Sequence, residues 1–148
     1  MINCFSCNNK DEERVIFPAK YWNVLISNNQ FHLGQSIVDL KRHAESLNEL
    51  TEAEYIEFKE IVKKLEIAIK KAFKPTHFNW FCLMNNAVRN KQSPHVHWHL
   101  VPRYDKKIEI NKEIFTDEEY CFPCDMMKGK KVNNETLKII KKIIIDNI

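Results

Sequence analysis

Short stretches along the chain have the apolar and polar pattern typical of β-strands separated by turns. Five segments are rich in β-branched and aromatic residues or alternate apolar with polar positions, which predicts strands. They occupy residues 15–17, 21–26, 35–40, 78–84 and 95–101. Pro18 separates the first two, and we expect Pro102 to end the fifth.

Between the third and fourth of these strands, the apolar spacing changes from two residues to three and four. Thr51 and Glu54 form a capping-box pattern that predicts the start of a helix, and Pro75 predicts its end. One face of this helix would be apolar, with lysine and glutamate opposite. The face contains Tyr55, Phe58, Val62, Leu65, Ile69 and Ala72.

The rest of the chain contributes one more regular element. Asn133 or Asn134 can cap a C-terminal helix, while residues 85–94 read as a polar loop and residues 105–130 as irregular. The order of elements predicts an α+β fold, an antiparallel sheet of about five strands with one long helix packed on it and a C-terminal helix. We expect a single domain over residues 1–148, with a core over 4–104 and a C-terminal extension over 105–148.

Composition and charge narrow the function classes. The 148 residues contain 23 lysines and arginines and 20 acidic residues, and the net charge of +3 is mild. The basic residues are interleaved with acidic ones, so we expect solvated surfaces and no nucleic-acid partner. The first residues turn polar at once and no apolar stretch is long enough for a bilayer, so we expect a cytoplasmic protein without membrane contact. Five cysteines in such a chain favour metal binding or burial over disulfides.

The fifth strand, HVHWHLV, carries the most informative chemistry. His95, His97 and His99 alternate with apolar residues, so in an extended strand the three imidazoles lie on one face. His95 and His99 start roughly 13 Å apart, too far for all three to bind one metal ion comfortably. A neutral imidazole is also a good nucleophile toward phosphorus. The pattern therefore favours a division of tasks among the three histidines.

These residues resemble the histidine triad (HIT) superfamily of nucleotide hydrolases and transferases. HVHWHLV fits the triad motif, and the segments LGQSIVDLKRHAESLNELTEAEY (33–55) and LMNNAVRNKQSPHVHWHLVPRY (83–104) are similar to the regions around it, particularly in the dinucleoside polyphosphate hydrolase-like branch. The resemblance implies that His97 attacks the α-phosphorus and forms a covalent nucleotidyl-histidine. It also implies that His99 hydrogen-bonds the phosphate and assists the leaving group.

The resemblance extends to residues that would contact the substrate. Gln92 and Ser93 match the polar pair before the triad that contacts the phosphate and the leaving-group side, and Gln92 is assigned a catalytic role. Asn85 matches the asparagine that opens the same loop. Ser27 stands at the position of the ribose-binding acid. The resemblance therefore implies that Asn85, Ser93 and Ser27 bind substrate.

The cysteines leave several possibilities open. Cys4 and Cys7 form a C-x-x-C pair compatible with zinc, and a second pair, Cys121 and Cys124, could complete a four-cysteine site. The cysteines could also be free. In zinc-bearing relatives, including galactose-1-phosphate uridylyltransferase, the N-terminal pair joins a histidine and the first triad histidine. That resemblance implies a structural zinc held by Cys4, Cys7, His43 and His95.

The leading hypothesis is a hydrolase or transferase that cleaves an adenine nucleotide substrate at its α-phosphate, either a dinucleoside polyphosphate or a nucleoside phosphoramidate. Two alternatives from other classes stay open, a nucleotide-binding adaptor with vestigial activity and a zinc-dependent hydrolase that uses two triad histidines as ligands. The resemblance also implies a homodimer.

Overall fold

The chain folds into a five-stranded antiparallel sheet with a long helix on one face, in a computed structural model that describes residues 3–9 and 11–148. The strands are ordered β1-β2-β3-β5-β4. Their bounds are Val15–Pro18 (β1), Trp22–Ile26 (β2), Ser36–Leu40 (β3), His77–Phe81 (β4) and His97–Arg103 (β5). The helices are Phe5–Asn8 (α1), Glu52–Phe73 (α2), Asn85–Arg89 (α3) and Asn134–Ile145 (α4). The α+β fold expected from the sequence is therefore confirmed.

The two faces of the sheet have different uses. Residues directly opposite each other in an antiparallel pair point to the same face, and Asp39 faces His97 while Ile37 and Phe81 both face His99. The other face carries the apolar residues that pack under α2, among them Val38 and Leu100. One side of β5 is thus core and the other is available for chemistry.

Helix α2 is where the sequence predicts it, but the buried face is rotated from the predicted one. The Thr51 hydroxyl accepts a hydrogen bond from the Glu54 N–H, and the Glu54 carboxylate accepts one from the Thr51 N–H, which completes the capping box. Lys74 ends the helix in the left-handed conformation, at φ 55°. Tyr55 is exposed because its ring lies outside the core and its hydroxyl donates to the Leu47 carbonyl. The buried apolar residues of α2 are Ile61, Leu65, Ala68, Ile69 and Phe73.

Three local expectations were wrong. Pro102 does not end β5, because the strand continues through Arg103 with Pro102 opposite Phe78. Residues 85–89 form the short helix α3 inside the expected polar loop. The expected irregular region contains a hairpin of β6 (Ile108–Ile110) and β7 (Glu113–Phe115), whose turn residues both have positive φ. None of these short elements has the length that makes a periodic pattern readable.

Helix α4 packs beside α2 and β1. The Asn133 side chain accepts a hydrogen bond from the Thr136 N–H, so Asn133 is the N-cap. Ile140 and Ile144, one turn apart, are its buried apolar residues. Within the described part of the chain, every helix is too short or too polar to cross a membrane.

Candidate active site

A cavity of about 320 Å³ opens on the histidine face of the sheet. Its floor is made by β2, β3 and β5, and its rim by α1, α3 and the loop before β5. All three triad histidines contribute to the wall, together with both charged and apolar side chains. The lining residues are Phe5, Ser6, Asn9, Arg14, Leu25, Ile37, Asp39, Asn86, Ala87, Asn90, Gln92, Ser93, His95, His97 and His99.

The hydrogen bonds of His97 determine which of its ring nitrogens carries the proton. His97 Nδ1 lies 2.7 Å from the carbonyl oxygen of His95, and since a carbonyl only accepts, Nδ1 carries the proton. His97 Nε2 therefore keeps its lone pair in the neutral ring. An uncharged imidazole with its tautomer set by a second group has the form that a nucleophile requires.

His99 supplies the neighbouring donor. Its Nε2 lies 3.1 Å from His97 Nε2, and because the latter is unprotonated, His99 Nε2–H donates. Burial and, to a smaller extent, the adjacent His97 lower the pKa of His99 to about 4. His99 is thus neutral at pH 7 and acts as a hydrogen-bond donor. Among the described residues its Nδ1 atom has no hydrogen-bond partner.

Four side chains converge beside the triad in a cluster that can hold a metal ion. Ligand atoms of Cys4, Cys7, His43 and His95 all lie within 4.8 Å of one another. The Sγ atoms of Cys4 and Cys7 lie 3.3 and 3.6 Å from His95 Nδ1, and Cys7 Sγ lies 3.5 Å from His43 Nδ1. A tetrahedral Zn²⁺ with ordinary bond lengths separates sulfur and nitrogen ligands by about 3.6 Å. These three distances are close to that separation, and the widest pair in the cluster, at up to 4.8 Å, would have to draw in slightly around such an ion.

The outer hydrogen bonds of the two histidines also suit metal binding. His95 Nε2 donates to the Leu40 carbonyl at 2.7 Å, and His43 Nε2 faces a Glu45 carboxylate oxygen at 3.3 Å. Both rings therefore carry their proton on Nε2 and point an unprotonated Nδ1 into the cluster, as metal-bound histidines do.

The second cysteine pair does not join this cluster. Cys121 and Cys124 lie on the C-terminal extension near Arg103, Cys121 exposed and Cys124 half-buried. In the described residues the metal-type cluster contains neither of them, so the four-cysteine arrangement is not formed.

Two of the four residues predicted to contact substrate lie in the cavity wall, and the other two lie outside it. Gln92 and Ser93 line the cavity beside the triad. Asn85 is exposed at the start of α3, where Asn86 takes its place in the lining. Ser27 is buried just after β2, accepts a hydrogen bond from the Asn29 N–H and is not part of the lining. The roles of these residues remain predictions.

Sequence reasoning missed Asp39, a buried carboxylate in the cavity wall. It faces His97 across the β3–β5 pair and accepts hydrogen bonds from the side chains of Ser6 and Asn23. Burial raises the pKa of Asp39, while the nearby His95 opposes that shift. The acidic residue inside the apolar run SIVDL could have identified it, because a strand seldom buries a carboxylate without a partner.

The fold and the site together define a histidine-triad protein, with an antiparallel sheet that presents alternating histidines beside a nucleotide-sized cavity. A model of the HIT domain matches residues 14–106. The chain therefore belongs to the HIT domain family.

Individual relatives agree with this assignment. An uncharacterised HIT-like protein of Methanocaldococcus jannaschii is 27% identical over 113 residues, which are 75% of this chain and 84% of that protein. A solved histidine triad protein from Sinorhizobium meliloti superimposes with a TM-score of 0.71 at 18% identity, covering 95% of this chain and 96% of the other.

Two further solved structures share the fold. Plasmodium falciparum diadenosine triphosphate hydrolase, in complex with cyclomarin A, has a TM-score of 0.64 at 17% identity, with 93% of this chain and 77% of that chain covered. A zinc-bound histidine triad family protein from Mycobacterium smegmatis has a TM-score of 0.59 at 13% identity, with 88% and 83% covered. At these identities the likeness shows the fold alone.

Proposed function

We propose that the protein is a nucleotide hydrolase or transferase that cleaves an adenine nucleotide substrate at its α-phosphate through a covalent intermediate on His97. The observation that carries the proposal is the tautomer of His97. Its Nδ1 proton is held by the His95 carbonyl at 2.7 Å, which leaves Nε2 unprotonated and facing the cavity.

The reaction would proceed in two displacements. The His97 Nε2 lone pair forms a bond to the α-phosphorus, and the bond from phosphorus to the leaving group breaks with its electron pair on that group, which takes up a proton from solvent where it departs as an amine. Water or another acceptor then attacks phosphorus and gives up its proton to solvent, and the electron pair of the N–P bond returns to Nε2. Splitting the reaction this way replaces one difficult displacement by two easier ones.

The surrounding groups would stabilise the charge that develops on the phosphoryl oxygens. When substrate separates the two rings, His99 Nε2–H is released from His97 and can donate to a phosphoryl oxygen. Gln92 and Ser93 offer further uncharged donors on the same wall. Because the pKa of His99 is about 4, the ring serves as a preorganised donor rather than a proton source.

The remaining wall suits a nucleoside. Leu25, Ile37 and Phe5 form its apolar part, where a planar base can be buried, and Asp39 offers a carboxylate that can accept from ribose hydroxyls. A dinucleoside polyphosphate or a nucleoside phosphoramidate provides both the nucleoside and the α-phosphate that this arrangement needs. The diadenosine triphosphate hydrolase of similar fold supports the first of these classes.

We also propose that the Cys4, Cys7, His43 and His95 cluster binds a structural zinc ion. The two thiolate sulfurs and two Nδ1 atoms would supply all four ligands of a tetrahedral zinc, so the ion would have no open position for water. The ion would anchor the N-terminal segment to His95, the residue whose carbonyl orients His97. Neither His97 nor His99 belongs to the cluster, which argues against the alternative of a zinc-dependent hydrolase.

The test of the proposal replaces His97 by glycine. We expect kcat/KM for diadenosine triphosphate and for adenosine 5′-phosphoramidate to fall by at least about 10³-fold, with an unchanged circular dichroism spectrum. A nucleoside 5′-phosphoimidazolide carries the ring that the variant lacks, so the variant should hydrolyse it faster than it hydrolyses either normal substrate.

Full activity in the His97→Gly variant would refute the covalent mechanism. If instead the unmodified protein binds adenosine monophosphate tightly by calorimetry and turns over neither substrate, the protein is a nucleotide-binding adaptor, and the proposed enzymatic function is wrong.

A further inference from the structure

A second cavity, of about 550 Å³, lies on the same face of the sheet as the triad but along its edge strand β4. The C-terminal extension forms one wall and β4 the other. Its rings are Phe81, Tyr120 and Phe122, with His77 at 5.6 Å from Tyr120. The matched HIT domain ends at residue 106, so the outer wall lies outside the matched residues.

The two cavities meet at one strand pair. Phe81, in the wall of the second cavity, is directly opposite His99, in the wall of the first. Side chains so placed are about 5 Å apart at Cβ. From Phe81 the second cavity extends four residues along β4 to His77, roughly 13 Å, which accommodates a nucleoside.

Among the described residues that line the second cavity, no lysine or arginine is free to bind a phosphate. Arg103 lies in its wall, but all five guanidinium N–H groups are already used. Nε and Nη2 donate to the two Asp117 carboxylate oxygens, Nη2 also to the Glu119 carbonyl, and Nη1 to Asn79 and to the Phe122 carbonyl. Since Arg103 is also almost fully buried, it holds the extension in place and leaves an aromatic, uncharged surface.

We propose that this second cavity binds the planar base of the leaving group, the part of the substrate that departs when His97 attacks. The inference rests on the proposed function, because it presupposes attack at the α-phosphorus beside His99. The phosphate chain would run from His97 past His99 and Phe81, and the distal base would stack on Tyr120 and Phe122. Aromatic stacking is sequence-tolerant, so we expect weak discrimination among distal bases.

The experiment compares two substrates that share the adenylyl half and differ in the leaving group. Diadenosine tetraphosphate leaves with a nucleoside, whereas adenosine 5′-phosphoramidate leaves with ammonia. The variants are Tyr120→Leu and Phe122→Leu in the full chain, which keep apolar volume and remove the ring. We expect kcat/KM for the dinucleotide to fall on the order of tenfold more than kcat/KM for the phosphoramidate.

Ile114→Ala and Met127→Ala are matched controls, since both residues are exposed on the same extension and outside both cavities. We expect both controls to keep the unmodified ratio of the two kcat/KM values. An equal fall with both substrates, or no fall, in the Tyr120 and Phe122 variants would overturn the inference. A change in their oligomeric state without a change in that ratio would also overturn it, because the surface would then contact another copy.

Calorimetry separates this inference from the proposed function. A methylene-bridged, non-hydrolysable diadenosine polyphosphate should bind the unmodified protein more tightly than adenosine monophosphate does, and the Tyr120→Leu variant should lose that advantage. Equal affinity for both ligands would overturn the second site even if turnover is normal. Absence of turnover with the advantage retained would refute the proposed chemistry and leave the second site standing.

Discussion

The buried pair of Arg103 and Asp117 gives the sharpest prediction about stability. The two side chains are each 1% exposed and are joined by hydrogen bonds of 2.7 and 3.1 Å. Replacing Asp117 by alanine removes both acceptors and leaves a buried guanidinium charge with only neutral partners. Breaking a buried ion pair in this way costs about 3–5 kcal/mol.

Three of the five donors of Arg103 would keep their acceptors, Asn79 and the carbonyls of Glu119 and Phe122. We therefore expect the lower part of the range, about 3 kcal/mol, measured as the loss in free energy of unfolding by urea at pH 7. Asp105→Ala removes an exposed carboxylate of the same region and should cost less than about 0.5 kcal/mol.

The pH dependence provides an independent check. Burial alone would raise the pKa of Asp117, but the hydrogen bonds from Arg103 and from the Tyr104 N–H outweigh burial and hold it below its usual value. A carboxyl with a depressed pKa in the folded state stabilises above the unfolded pKa, about 3.9, and this stabilisation is lost as pH falls through the folded pKa. The stability difference between the unmodified protein and Asp117→Ala should shrink below about pH 4.

A loss under 1 kcal/mol at pH 7, or a difference independent of pH, would refute this reasoning. The double replacement Arg103→Met with Asp117→Leu distinguishes charge from volume, because it leaves no unpaired charge. We expect it to be more stable than the Asp117→Ala variant.

Two further predictions concern the metal cluster and the start of α2. We expect about one zinc ion per chain by elemental analysis. The ion should be lost in Cys4→Ser and retained in Cys121→Ser, because the Cys121 sulfur lies outside the cluster. Equal zinc content in both variants would contradict the assignment. The hydrogen bond from Arg42 lowers the pKa of Glu54 to about 2, so Glu54→Gln should cost about 1–2 kcal/mol at pH 7 after allowing for the exposure of Arg42. Measured as the free energy of unfolding by urea, that cost should disappear as pH falls from about 4 toward 2. The control Glu52→Gln, on the exposed face of the helix, should show neither the cost nor its pH dependence.

The long elements of this fold could be predicted because each has enough residues to display its period. Helix α2 has 22 residues and a capping box at Thr51, and its start was located to within one residue. The triad strand was located by alternation alone, although the regular strand begins two residues later, at His97. His95 precedes the strand and turns its Nδ1 toward the cysteines.

Contacts between distant segments could not be derived from local pattern. No local sequence pattern pairs Asp117 with Arg103, and only the fold brings them together, with the buried His32 at 3.5 Å from Asp117. Burial lowers the pKa of His32, which favours a neutral ring beside this pair, and its Nε2 makes no hydrogen bond within the described residues. The C-terminal extension looked irregular because its order comes from these tertiary bonds rather than from periodicity.

His95 connects the candidate metal cluster to His97, the proposed nucleophile. Its side chain contributes Nδ1 to the cluster, while its backbone carbonyl accepts the Nδ1 proton of His97. A ligand held at a tetrahedral corner has little freedom to rotate, so the carbonyl attached to the same residue is held as well. An acceptor that fixes the histidine tautomer in this way has the role that a carboxylate takes in other nucleophilic triads. On this reasoning, the metal would act on the chemistry through the backbone of one residue, without contacting substrate.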